Sequence, residues 1–185
     1  MWDKNITKEI DDLIKLGNEN SLSPSRLDIH NGSNKIATKK DIVKFEEYVL
    51  SLKDHAPGIY GDGKKLVRDC PEALITHEFV DGIYIRQMDM KAECLVISAI
   101  HKHLHCWFLL SGHVTITTEL GKQDFEAPCR VISPSGIKRV IYANESSVFI
   151  NVHKNPSNTR DINKLEKEIV ALNYKEYEEY INKKQ

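Results

Sequence analysis

Net charge is almost absent: 26 Lys and Arg face 27 Asp and Glu over 185 residues, which leaves −1 with histidine neutral. No overall field therefore draws the chain to nucleic acid or an anionic membrane, and any basic site has to be local. Long apolar runs are missing too. None nears the roughly 20 residues a membrane helix needs, so a membrane partner is not expected. The opening Met1-Trp2-Asp3-Lys4-Asn5 has neither the basic start nor the apolar stretch of a secretion signal, which points to the cytoplasm. Cysteine is sparse. Cys70, Cys94, Cys106 and Cys129 are widely spaced without a CxxC pair, a pattern of buried reduced thiols and not of a disulfide framework or zinc site. No GxSxG or Ser-His-Asp pattern occurs. The glycines and lysines of 58–65 follow no strand and lack phosphate-loop spacing. His30, His55 and His77 are isolated and read as surface or core residues.

What the chain does have is a change of period along its length. In 1–60 the spacing is helical: Ile6, Ile10, Leu13 and Ile14 form one stripe, and Ile42, Phe45, Val49 and Leu52 another. An irregular Gly, Asn, Ser and Pro link at 17–37 separates them, and Thr38-Lys39-Lys40-Asp41 reads as a capping box for the second helix. From about 72 to 153 the pattern becomes short β-branched and aromatic runs, at 73–80, 83–90, 94–100, 103–111, 113–119, 124–132, 139–142 and 147–153. Turn residues separate them, as at Asp81-Gly82 and Pro134-Ser135-Gly136, and such spacing predicts an antiparallel sandwich or barrel. A single helix is expected over 160–185, with Ile162, Leu165, Ile169 and Leu172 as its stripe and Tyr174, Tyr177 and Tyr180 as a packing edge. The division is thus a helical N-terminal extension at 1–60 packing on a barrel at 61–156, then a C-terminal helix at 157–185.

The segment richest in chemistry runs from Ile100 to Gly112. Extended, it places His101, His103 and His105 on one face with Trp107 and Leu109 beyond them. The other face carries Ile100, Leu104, Cys106, Phe108 and Leu110 and needs a cover, which predicts a homodimer. Three imidazoles on a covered face need hydrogen bonds or a metal. On a flat strand His101 and His105 stand roughly 13 Å apart, too far to share an ion without a bend or bulge. His153, near the end of the last strand, is a third candidate ligand.

This run resembles the first motif of the cupin superfamily, G(x)5HxH(x)3,4E(x)6G, and Pro134-Ser135-Gly136 followed by Arg139 resembles the second, in which PxG precedes a histidine. With Gly112 as anchor, the resemblance puts the family's glutamate ligand on His105, its histidines on Ala99 and His101, and its last histidine on Arg139. It implies a mainly β, cupin-like antiparallel jelly-roll barrel with helical extensions. The 83–175 stretch is also similar to cupin-like proteins of bacteriophage genomes.

Two chemistries follow. In one, His101, His105 and His153 hold a divalent iron, zinc or manganese ion, as in a cupin oxygenase or isomerase. In the other, exchanging an acid for His105 and a histidine for Arg139 turns a cation site into an anion site. His101, His103, His105, Lys138, Arg139 and His153 then supply donors, and Trp107 and Tyr142 offer rings on which a base or sugar stacks. The second is the leading expectation: a binding protein for an anionic small molecule, a nucleotide or sugar phosphate, of phage origin and serving to sequester a host signal. A structural role in a phage particle is the third reading.

Overall fold

The computed structural model describes residues 37–51 and 73–184. The stripe at Ile6, Ile10, Leu13 and Ile14, nearly all of the 17–37 link, His30, His55, Cys70 and the 58–65 segment lie outside the described residues. The first described helix, α1 (Lys39–Ser51), starts at the expected capping box. The Thr38 amide donates to Asp41 Oδ2 at 2.8 Å and the Asp41 amide to Thr38 Oγ1 at 3.3 Å.

Two-residue alternation then builds ten strands: β1 (Ala73–Val80), β2 (Ile83–Met90), β3 (Leu95–Ile97), β4 (Ile100–His101), β5 (His105–Ser111), β6 (His113–Thr118), β7 (Gly121–Glu126), β8 (Cys129–Ser133), β9 (Val140–Ala143) and β10 (Ser147–Lys154). Asp81 and Gly82 both take positive φ, 32° and 75°, and close the β1–β2 hairpin as a two-residue loop. The order β1-β2-β10-β5-β8 forms one antiparallel sheet and β3-β9-β6-β7 a second, with β4 in neither. The fold is thus mainly β and of jelly-roll type, as expected.

Side chains from both sheets meet between them. Met88, Trp107, Leu109 and Phe149 come from the first, Val96, Val114, Ile116 and Ile141 from the second. Phe149 has no exposed surface and stacks on Trp107 at 4.8 Å between ring centroids. Truncating so buried an aromatic to alanine costs about 3–5 kcal/mol. On the outside of the second sheet, Ile42, Phe45 and Tyr48 of α1 pack on Leu95, Ile97, Val140 and Tyr142.

Three sequence expectations change. The 124–132 run is two strands, because Pro128 interrupts it between β7 and β8. The 160–185 helix is divided into α2 (Ile162–Ile169), a short strand β11 (Val170–Ala171) and α3 (Tyr174–Asn182). Val170 pairs with His101 and Ala171 with Ile100, so the chain leaves the helix to extend the strand next to the histidines. Asn173 then caps α3, its side chain accepting from the Glu176 amide at 2.9 Å. Third, the histidine segment is not one continuous strand.

Candidate functional site

The break falls between His101, which ends β4, and His105, which starts β5. Residues 102–104 bend outward, and the last turn of α2 holds them there. A helix end leaves carbonyls without intrahelical partners. Here the Lys102 amide donates to Ile169 O at 2.8 Å, Lys102 Nζ to Lys167 O at 2.7 Å, and His103 Nε2 to Glu168 O at 3.2 Å. Looping out three residues removes the separation a flat strand would impose. The His101 and His105 rings come to 4.1 Å between centroids, and His153 from β10 stacks on both at 4.9 and 4.6 Å. One nitrogen from each of the three lies within 4.8 Å of the others.

His103 is not among them. The bend turns it to the outside, where its ring meets Tyr180 edge-on and its Nδ1 faces the Tyr180 hydroxyl at 3.4 Å. It joins α2 and α3 to the barrel. Lys138 also stands apart, and is neither a surface residue nor a cluster member. Only 1% exposed, it pairs with Glu46 of α1 at 2.7 Å and donates to Leu172 O at 3.4 Å. Trp107 points inward as expected, where Phe149 stacks on its ring and Phe125 meets it in a T-shaped arrangement at 4.9 Å. Tyr142 lies under α1 on the opposite side of its sheet from the core.

Arg139 does reach the cluster. It follows the Ser135-Gly136 turn, where Gly136 has φ 85° and packs so close to the Tyr177 ring that a Cβ would stand 2.9 Å from it. The Arg139 amide donates to Ser98 Oγ at 2.9 Å. Its guanidinium Nη2 donates to His105 Nε2 at 2.9 Å and to Ser133 Oγ, and Nη1 faces His101 Nδ1 at 3.5 Å. A guanidinium has five N–H donors and no acceptor, so these three contacts leave part of the fork unused. They also fix the His105 tautomer: its proton is on Nδ1, which faces His103 O at 3.4 Å.

The electrostatics agree. Burial first, then the Arg139 charge, holds His101 well below the ordinary imidazole value and pushes His105 down to about 3. Burial and the His105 ring do the same to His153. Burial lowers Arg139 to about 10, so it stays a cation at neutral pH. Among the described residues no carboxylate lies in ion-pair contact with it. Glu119 acts on it only at longer range.

Three contributors escape a search for histidines. Ser133, opposite His105 in the β5–β8 register, accepts from Arg139. Asn151, one pair along β10 from His153, is buried beside His105 with Oδ1 outside hydrogen-bond geometry. Arg86 faces Asn151 across the β2–β10 pair, and its charge acts on both His101 and His153. The signal for Arg86 was available: it occupies an inward position between Tyr84 and Met88, where an apolar residue is expected.

The residues do not fit a resident metal as they stand. Three converging imidazoles are the right donors, but both nitrogens of His105 are engaged. A divalent ion about 4 Å from the guanidinium would meet about 8 kcal/mol of repulsion at an effective dielectric of about 20.

No family model and no curated protein matches the sequence. Solved structures with a similar fold include a cupin superfamily protein from Desulfitobacterium hafniense, 14% identical, with 48% of this chain and 81% of that one covered at a TM-score of 0.41. Ectoine synthase from P. lautus is 13% identical over 48% and 67%, with a TM-score of 0.42. A cupin 2 conserved barrel domain protein from Salinispora arenicola is 14% identical over 56% and 90%, at 0.40. Nothing about this chain's chemistry follows from likeness at that level.

Proposed function

We propose that this cupin-like protein binds a small anionic molecule, and that Arg139 holds its carboxylate or phosphate. The observation that carries the reading is a guanidinium, in a residue 3% exposed, whose hydrogen-bond partners among the described residues are all uncharged. Taking such a cation out of water costs several kcal/mol unless an opposite charge compensates it. An oxyanion on the unused part of the fork supplies that charge through short, charge-assisted hydrogen bonds. Neutral His101 and His153 add donors or acceptors according to tautomer, the Asn151 amide adds another, and Arg86 contributes a second positive charge nearby.

Trp107 packs in the core and Tyr142 under α1, which favours a ligand held without base stacking. A sugar phosphate or small carboxylic acid therefore fits better than a nucleotide. The resemblance to phage cupin-like proteins makes sequestering a host signal molecule the role such a site would serve. The test is native mass spectrometry of protein purified without a metal-affinity tag, with elemental analysis alongside. A co-purified anionic mass, lost in Arg139→Ala, supports the reading. Near-stoichiometric iron, zinc or manganese with no organic anion supports a metal-dependent enzyme instead.

A further inference from the structure

We infer that Arg139, in contact with two of the three histidines, keeps a latent three-histidine metal centre closed. This holds whether or not an anion binds, because it concerns only the histidine nitrogens and the guanidinium. The ligand atoms of His101, His105 and His153 lie within 4.8 Å of one another. Imidazole nitrogens around a tetrahedral zinc ion stand about 3.4 Å apart, given bonds of about 2.0–2.1 Å. Modest side-chain rotation closes that difference.

What closes the site to a cation is chemical. Nη2 of Arg139 already occupies the lone pair on His105 Nε2, and Nη1 faces the Nδ1 of His101. The other nitrogen of His105 faces a backbone carbonyl. The guanidinium is not a mobile gate. Ser133 holds its tip, and the Arg139 backbone is bonded in both directions to Ser98, amide to Oγ at 2.9 Å and carbonyl from the Ser98 amide at 2.8 Å. A metal therefore has to displace an anchored cation. Removing the guanidinium frees two imidazole nitrogens and a like charge together.

Cobalt(II) titration of protein purified without a metal-affinity tag, followed by its visible absorption, tests this, with circular dichroism to confirm folding. Wild type should show no saturable cobalt signal. Arg139→Ala and Arg139→Gln should each gain one equivalent, with the intense bands of a four-coordinate ion. Adding His153→Ala to either should abolish the gain, and Arg139→Lys, which keeps the charge, should not show it. Arg139→Gln serves where Arg139→Ala does not fold, and if neither folds the wild-type titration decides. One equivalent taken up by wild type and lost in His153→Ala overturns the inference. So does a folded Arg139→Ala or Arg139→Gln that takes up none.

Discussion

Arg139 Nη2 donates to His105 Nε2 at 2.9 Å, so a buried cation is held by an imidazole that has to stay neutral. The same relation makes the site sensitive to acid, since protonating His105 would set two positive groups against each other.

Stability should therefore fall below the ordinary imidazole value of 6.5. The folded values of His101, His105 and His153 are all depressed, so the unfolded chain takes up protons that the folded chain refuses. The contribution is complete above about pH 6.5 and is lost progressively toward pH 3, where His105 protonates in the fold. For His105 alone the loss at pH 5 is about 2 kcal/mol. Urea unfolding from pH 7 to pH 5 should show a steeper decline for wild type than for His105→Gln; parallel declines would contradict the neutral assignment.

Lys138 and Glu46 should couple α1 to the barrel strongly. Glu46→Ala leaves a nearly fully buried ammonium with, among the described residues, only the Leu172 carbonyl, and breaking a buried pair in this way costs about 3 kcal/mol. Replacing both, as Glu46→Leu with Lys138→Met, should recover most of that. Chemical denaturation of the three variants measures the difference, and an equal loss in single and double variants would deny the coupling.

The outer face of the first sheet should mediate a homodimer. Ile100 does not belong to that face, being wholly buried beside β11, but Leu104, Leu110 and Ile132 are 67%, 53% and 52% exposed. A row of Ile85, Val152 and Cys106 leads across the sheet to Ile132. The described helices pack elsewhere, α1 on the second sheet, α2 on Tyr84 and α3 on Gly136 and His103. Light scattering should give a dimer that Leu110→Glu with Ile132→Lys converts to monomer. A wild-type monomer at micromolar concentration would refute this assembly.

The barrel was legible because burial alternates with period two: β1 and β2 fall at the residues where apolar spacing puts them. Arg139 was legible from its place in a motif. The approach of His101 and His105 was not, because the bend between them is held by carbonyls of α2 some 65 residues later. Counting faces along a continuous strand put His103 in the site for the same reason. Trp107 was assigned to the correct face, but the interior at that level is filled by Phe149 and Phe125.

Calorimetric titration at pH 7.5 with inorganic phosphate, glucose 6-phosphate and succinate shows whether the buried Arg139 cation takes an anion. At least one should bind one-to-one, Arg139→Ala should weaken it by about 1.5–3 kcal/mol, the worth of a hydrogen bond to a charged group, and Arg139→Lys should recover only part because the ammonium lacks the fork. Binding left unchanged in folded Arg139→Ala, or no binding of any of the three by wild type, would mean that Arg139 is not an anion site.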